Sequence, residues 1–333
     1  MSPSSMYRNL FLTTLFCALA GSGYAQMPRC YKSANRVTWL VQNVDLAKQA
    51  WIPLGLSDIH EYPNIVLTGQ YHGKPVKMWA WEVTGHLGSL TVDMIQPAEG
   101  QLNAWNDFLG KHGDGIFSIV HEVASQAEMD KQIKRMRGLG VGVLQQLSFD
   151  REGNRITYTY FDTEPGGKFV LGLVYWPGGA PAAGQPGKVS HLAPVVHDLT
   201  PVSAYWQKLG FPAFRTEHAT PRQDSTYRGK PLWFAFEVGY QNYDQFSYEW
   251  ISAPATPPNI YADFLKLHKE GIQHLGMPVD DLSKAVAAYE KLGYHVWQSG
   301  AWGDVGKKDS GQYAYMDTDS IGGVSVELIH AYK

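Results

Sequence analysis

The sequence predicts an α+β protein built from repeated modules of a strand, a helix and several further strands, arranged as two homologous halves. Three observations predict it. HLAPVVHDLTPVSAYWQKLGF at 191–211 aligns without a gap on HLGMPVDDLSKAVAAYEKLGY at 274–294. A longer repeat lies over this one: YHGKPVKMWAWEV at 71 recurs as YRGKPLWFAFEV at 227, NAWNDFLGKHGDGI at 103 as NIYADFLKLHKEGI at 259, and YTYFDTEPGG at 158 as YAYMDTDSIGG at 313. Between the two copies runs PGGAPAAGQPG, a Pro/Gly/Ala spacer with no apolar periodicity. A repeat of this length makes each copy a folding unit. The expected halves are residues 33–176 and 188–333, joined by a linker at 177–187.

In chain order, the N-terminus reads as a targeting segment. MSPSSMYRN carries Arg8, LFLTTLFCALA is apolar but too short to span a bilayer, and GSGYA places small residues at Gly23 and Ala25. Residues 1–25 are therefore expected to be a signal peptide, and the mature protein to be secreted or periplasmic. It would keep Cys30 as its one cysteine, so no internal disulfide can form. A net charge of -3 with no basic block argues against nucleic acid as a partner, and no second apolar run suits a membrane span. The 11 Trp and 19 Tyr are enough both to fill cores and to line an apolar pocket.

Within each module an apolar strand meets an Asp-Leu turn and then a helix. Thr200 and Ser283 are the expected caps, and the Leu-Gly pairs at 209–210 and 292–293 end the helices. Asp280 and Asp281 read as turn residues. The Tyr-x-Gly-Lys-Pro segments at 71 and 227 read as hairpin turns leading into edge strands. His197, His218, His268 and His330 read as surface or turn residues.

The chemistry is expected in the second half. Its module-opening strands carry His191 and His274, and its module-closing strands, FSYEWI and GVSVELIH, carry Glu249 and Glu327. The placement is symmetric, so two modules paired about a pseudo-twofold axis would bring all four side chains together. Two buried carboxylates repel one another and resist ionisation, and a divalent cation removes both costs. Imidazole with carboxylate suits one Zn, Ni, Co, Mn or Fe(II) ion better than Ca. Four protein ligands in an octahedral shell leave two positions for water or a chelating substrate.

HLGMPVDDLSKAVAAYEKLGY and YAYMDTDSIGGVSVELIH resemble the first- and fourth-strand segments of the vicinal oxygen chelate superfamily, which includes glyoxalase I, methylmalonyl-CoA epimerase, extradiol dioxygenases and fosfomycin and bleomycin resistance proteins. The resemblance covers nearly all of the mature chain. It implies paired βαβββ modules forming two cupped, open barrels, with His191, Glu249, His274 and Glu327 on the four ligand positions. His-Glu-His-Glu is similar to the bacterial glyoxalase I set, whereas the epimerases usually carry Gln where Glu249 stands. The first half departs from the pattern, with Arg36, Asp93, Ser118 and Gly172 at the equivalent positions. No metal is expected there, and Arg36 and Asp93 are expected to form an ion pair in its place.

The resemblance implies a metal-dependent lyase or isomerase acting on a small, possibly aromatic, substrate with two vicinal oxygens. The metal would polarise these, and Glu249 or Glu327 would move the proton of the adjacent C–H as an enolate forms. One alternative is an Fe(II) ring-cleaving dioxygenase using His191, His274 and Glu327 as a facial triad, favoured by the degenerate first half and disfavoured by Glu249. Another is a non-enzymatic small-molecule binder, which the ligand-free first half fits and the second-half quartet does not.

Overall fold

The computed structural model describes residues 27–34, 36–179, 189–220, 224–243 and 246–333; the expected signal peptide and most of the expected linker lie outside them. The first half runs β1 (Arg36–Leu40), α1 (Val44–Trp51), β2 (Leu56–Tyr71), β3 (Lys74–Leu87), β4 (Leu90–Pro97), α2 (Ala104–His112), β5 (Gly115–Val123), α3 (Gln126–Gly138), β6 (Val143–Arg151), β7 (Asn154–Phe161), α4 (Glu164–Gly167) and β8 (Val170–Tyr175). The second runs β9 (His191–Val195), α5 (Leu199–Lys208), β10 (Arg215–Ala219), β11 (Thr226–Tyr227), β12 (Lys230–Pro231), β13 (Phe236–Asn242), β14 (Ser247–Ser252), α6 (Ile260–His268), β15 (Gly271–Pro278), α7 (Leu282–Lys291), β16 (Val296–Trp302), β17 (Gly311–Met316) and β18 (Ser325–Ala331). Among the described residues no helix is long and apolar enough to cross a membrane.

In the first half β1 pairs with β4, β4 with β3, β3 with β2, β2 with β6, β6 with β7, β7 with β8, β8 with β5, and β5 returns to β1. This is a closed eight-stranded barrel, more complete than the open cup expected, and the closing contact is Thr68–Tyr71 against Gln145–Ser148. Gly69 permits that approach, since a Cβ there would lie 1.9 Å from the Gln146 carbonyl oxygen. Period-two alternation sends Val37 and Trp39 outward under the helices, while Leu40 joins Leu67, Phe117, Leu147, Phe149 and Tyr160 in a filled interior.

The second half follows the same order, but the strand matching β2 is broken into β10, which pairs only with β13, and the two-residue β11, which pairs with β12 and β16. That barrel is open along this break. Its floor is a smaller apolar cluster around Val195, Ile251, Phe264 and Tyr315. The halves meet where β5 touches β15 and where His112 and His268 exchange hydrogen bonds. Each donates from Nδ1 to the other's carbonyl oxygen, at 2.5 and 2.7 Å across a sequence offset of 156. His268 is thus a junction residue rather than the turn residue expected.

Local signals mostly act as read. His72–Gly73 and Arg228–Gly229 all have positive φ, which makes the Tyr-x-Gly-Lys-Pro segments tight primed turns. Pro75 sits where β3 pairs only with β2. The helix caps lie two residues earlier than expected: Asp198 accepts from the Thr200 amide and Asp281 from the Lys284 amide. The aspartates are still extended and so can reach forward, whereas Thr200 and Ser283 already lie inside the helices.

His121, on β5, is buried, donates from Nδ1 to the Ser33 carbonyl at 2.6 Å, and leaves Nε2 without a partner among the described residues. Burial pushes its pKa down to about 4. The native state therefore holds it neutral, while the unfolded chain binds a proton below its ordinary value of 6.5. Stability attributable to this group is complete above about pH 6.5 and is lost as pH falls towards 4, by up to about 3 kcal/mol. Denaturant unfolding at pH 7 and pH 4.5 should show wild type losing about 2–3 kcal/mol more than His121→Gln; equal losses would refute the assignment.

Candidate metal centre

Strand register assembles the quartet. His191 on β9 lies opposite Gly276 on β15, which lies opposite Glu327 on β18. Gly276 is what lets His191 cross this row, because a Cβ there would sit 2.1 Å from the imidazole Cε1. Glu249 enters from β14, which runs parallel to β9. His274 enters from β15 next to a register shift between Ile272 and His274, so that consecutive Gln273 and His274 side chains meet.

All four predicted residues come together, with one ligand-type atom from each lying within 4.8 Å of the others. His191 Nε2 is 3.1 Å from both Glu249 Oε2 and Glu327 Oε2 and 3.4 Å from His274 Nε2. His274 Nε2 is 3.5 Å from Glu327 Oε2 and 3.9 Å from Glu249 Oε2. Neighbouring donors around an octahedral ion with ~2.1 Å bonds are ~3 Å apart, so the spacing fits one small cation.

Surrounding groups orient the imidazoles. His274 Nδ1 donates to Gln273 Oε1 at 2.6 Å, and the Tyr315 ring stands edge-on to its ring at 4.9 Å. His191 Nδ1 lies 3.3 Å from Ser190 Oγ, whose hydroxyl donates to the Gly276 carbonyl. Occupying both Nδ1 atoms turns both Nε2 atoms inward, the arrangement of metal-binding histidines. Gln273, Ser190 and Gly276 are absent from the expectation, although a glycine inside the apolar strand HLGMPV was a readable sign of close approach.

The electrostatics show what the site demands. Burial alone would lower His191, but the Glu249 and Glu327 carboxylates outweigh it and raise its pKa to about 10. Burial would raise both carboxyls; the charge and hydrogen bonds of His191 instead hold Glu249 well below the carboxylate range, and the two histidines hold Glu327 below its ordinary value. Without a metal, a proton on His191 thus serves as the counter-charge. Two carboxylates and two neutral imidazoles balance a divalent ion, so the donor set fits one divalent cation, which would displace that proton.

The first half answers the same demand with protein alone. Arg36 Nη1 contacts Asp93 Oδ1 and Oδ2 at 2.7 and 2.8 Å, both residues being buried. Tyr158 donates to Asp93 Oδ2 and Thr84 to Oδ1, each at 3.0 Å. Ser118 donates to the neighbouring Ile119 carbonyl, and a Cβ on Gly172 would lie 2.6 Å from its hydroxyl. The expected ion pair forms at the positions equivalent to those of His191 and Glu249.

Residues 190–315 match the family model of the Glyoxalase/Bleomycin resistance protein/Dioxygenase superfamily. A search of curated proteins gave no match. Among solved structures, a variant of 4-hydroxymandelate synthase from Streptomyces coelicolor superposes with a TM-score of 0.60 at 14% identity, over 90% of this chain and 93% of that one. A Mn(II)-bound glyoxalase from Novosphingobium aromaticivorans gives 0.48 at 15% identity, over 90% and 82%. The first likeness establishes the shared fold.

Removing Arg36 alone leaves Asp93 charged and buried. Arg36→Met should cost about 3–5 kcal/mol, and adding Asp93→Leu should restore most of it. Urea unfolding of the two variants checks this; a single variant costing under about 1 kcal/mol would deny the pair its role.

Proposed function

We propose that the protein is an exported metal-dependent lyase or isomerase in which His191, Glu249, His274 and Glu327 hold one divalent transition metal, with a first half that binds none. The observation that carries this reading is the convergence of two imidazoles and two carboxylates on a point where, among the described residues, neither carboxylate pairs with an arginine or lysine. A bound ion would supply Lewis-acid polarisation of two neighbouring oxygens on a small substrate, making the adjacent C–H acidic.

The protein residues then have distinct tasks. Glu249 has the more exposed carboxylate, with 18% of its side chain accessible against 8% for Glu327 and none for His274. It faces the open side and is the proposed proton acceptor. Glu327, on the far side of His191, is placed to take up a proton from solvent and deliver it to the opposite face while Glu249 gives the abstracted proton to solvent, as isomerisation requires. Gln273 and Tyr315 hold His274 fixed, and the apolar floor around Val195, Ile251 and Tyr315 excludes water below the reacting carbon. The aromatic residues beside that floor, Phe236, Trp297 and Tyr313, favour a substrate with an aromatic or apolar body. Export rests on the N-terminal segment.

The purified mature protein should contain close to one Zn, Ni, Co, Mn or Fe per chain, and His274→Ala should lose it. Glu249→Gln should retain a detectable metal site while slowing deuterium exchange at the carbon next to a chelating carbonyl about 10²–10⁴-fold, followed by proton NMR with α-hydroxycarbonyl compounds. Iron together with catechol cleavage would replace this reading with that of a dioxygenase. Failure to bind any of these metals would overturn it in favour of a binding protein.

A further inference from the structure

One row of side chains leads from solvent to Glu249 and is used by none of the steps above. Arg215 on β10 lies directly opposite Tyr240 on β13, and Tyr240 lies directly opposite Glu249 on β14. Residues directly opposite in an antiparallel pair project to the same face, so the three form a continuous line across adjacent strands. The Arg215 guanidinium stands 4.9 Å from the centre of the Tyr240 ring and is itself 63% exposed. A cation over the ring fixes its orientation. The Tyr240 and Glu249 side chains therefore share one face of adjacent strands, and burial together with the nearby Glu249 charge raises the pKa of the Tyr240 hydroxyl.

The first half supplies an independent parallel. Thr84 occupies the place of Tyr240 and lies opposite Asp93 as Tyr240 lies opposite Glu249. Its hydroxyl donates to Asp93 Oδ1 at 3.0 Å. In both halves, then, the strand beside the carboxylate presents a hydroxyl to it. The charge at the centre differs, being Arg36 in one and the quartet in the other, while a hydroxyl-bearing residue directly opposite the carboxylate persists.

We propose that Tyr240 is a positioning residue for Glu249, its ring clamped by Arg215 and its hydroxyl holding the carboxylate on the open side of the centre. This rests on the metal-centre reading above. An anchored carboxylate keeps one oxygen turned inward while the hydroxyl takes the other. Without the hydroxyl, Glu249 swings towards solvent and the centre loses its fourth donor. Tyr313 and Tyr261 do not substitute, since the Tyr313 hydroxyl lies against Gly300 and that of Tyr261 bonds Tyr315 at 2.9 Å.

The test uses Co(II) alone as probe, read by calorimetry and by the visible spectrum of the bound ion, so no substrate is needed. Tyr240→Phe should weaken Co(II) binding about 10–100-fold and change the spectrum in the direction of one fewer protein donor. Tyr313→Phe should change neither. In a Glu249→Ala background, adding Tyr240→Phe should alter affinity less than about two-fold, because the group it acts through is gone. Wild-type affinity and spectrum in Tyr240→Phe, or a full effect persisting in the Glu249→Ala background, would overturn the proposal. Absence of Co(II) binding by wild type would instead strike the underlying metal-centre reading. Thermal midpoints of the metal-free variants within a few degrees of wild type show that the fold is intact.

Discussion

Buried negative charge must be matched by positive charge, and this requirement shapes both halves of the molecule. A carboxylate taken out of water without a partner is costly enough that it either takes up a proton or disrupts the fold. The first half meets the requirement with a permanent guanidinium, one nitrogen of which, Nη1, contacts both oxygens of Asp93. At the equivalent place the second half has two carboxylates, Glu249 and Glu327, whose charged partners among the described residues are His191 and His274. Its balance depends on a proton on His191 or on an ion from solution. One solution closes the site permanently, whereas the other leaves it dependent on what it binds.

The backbone around each centre suits its solution. Val120 in the first half stands where Gly276 stands in the second, and Gly172 where Glu327 stands. Exchanging the positions of small and large side chains moves the free space. In the second half the gap over Gly276 lets His191 reach Glu327; in the first, Gly172 makes room for Ser118, and Val120 joins the apolar interior. The continuous β2 completes a ring around that interior, while the break between β10 and β11 leaves the other barrel open between β10 and β16. Burial and closure accompany the ion pair, and access accompanies the quartet.

Much of this was legible in the sequence, for a physical reason. The strand–Asp-Leu–helix–Leu-Gly unit is written in local chemistry: an extended aspartate that caps, an amphipathic helix, and a glycine at positive φ that ends it. His191, Glu249, His274 and Glu327 could be picked out because they are ionisable residues in strands otherwise committed to burial. The Arg36–Asp93 pair followed from charge complementarity at matching positions. What was not legible depends on pairing across strands. Closure through β2 and β6, the contact of Gln273 with His274, and the row from Arg215 to Glu249 arise from register and a bulge, which no single segment encodes. His268 looked like a turn residue because its partner, His112, lies in the other half.

The two solutions also differ in what they make available for chemistry. In the first half, every oxygen of Asp93 is taken by Arg36, Tyr158 or Thr84, and the group has no capacity left to accept a proton from a ligand. A fully satisfied carboxylate is a structural element. In the second half Glu249 shares both His191 and His274 with Glu327, and it remains partly exposed. An incompletely satisfied carboxylate beside a divalent ion retains basicity that can be directed at a substrate, provided something prevents it from simply turning away into water. The side chain placed to do so is the tyrosine on the neighbouring strand, which connects the open edge of the barrel to the chemistry at its centre.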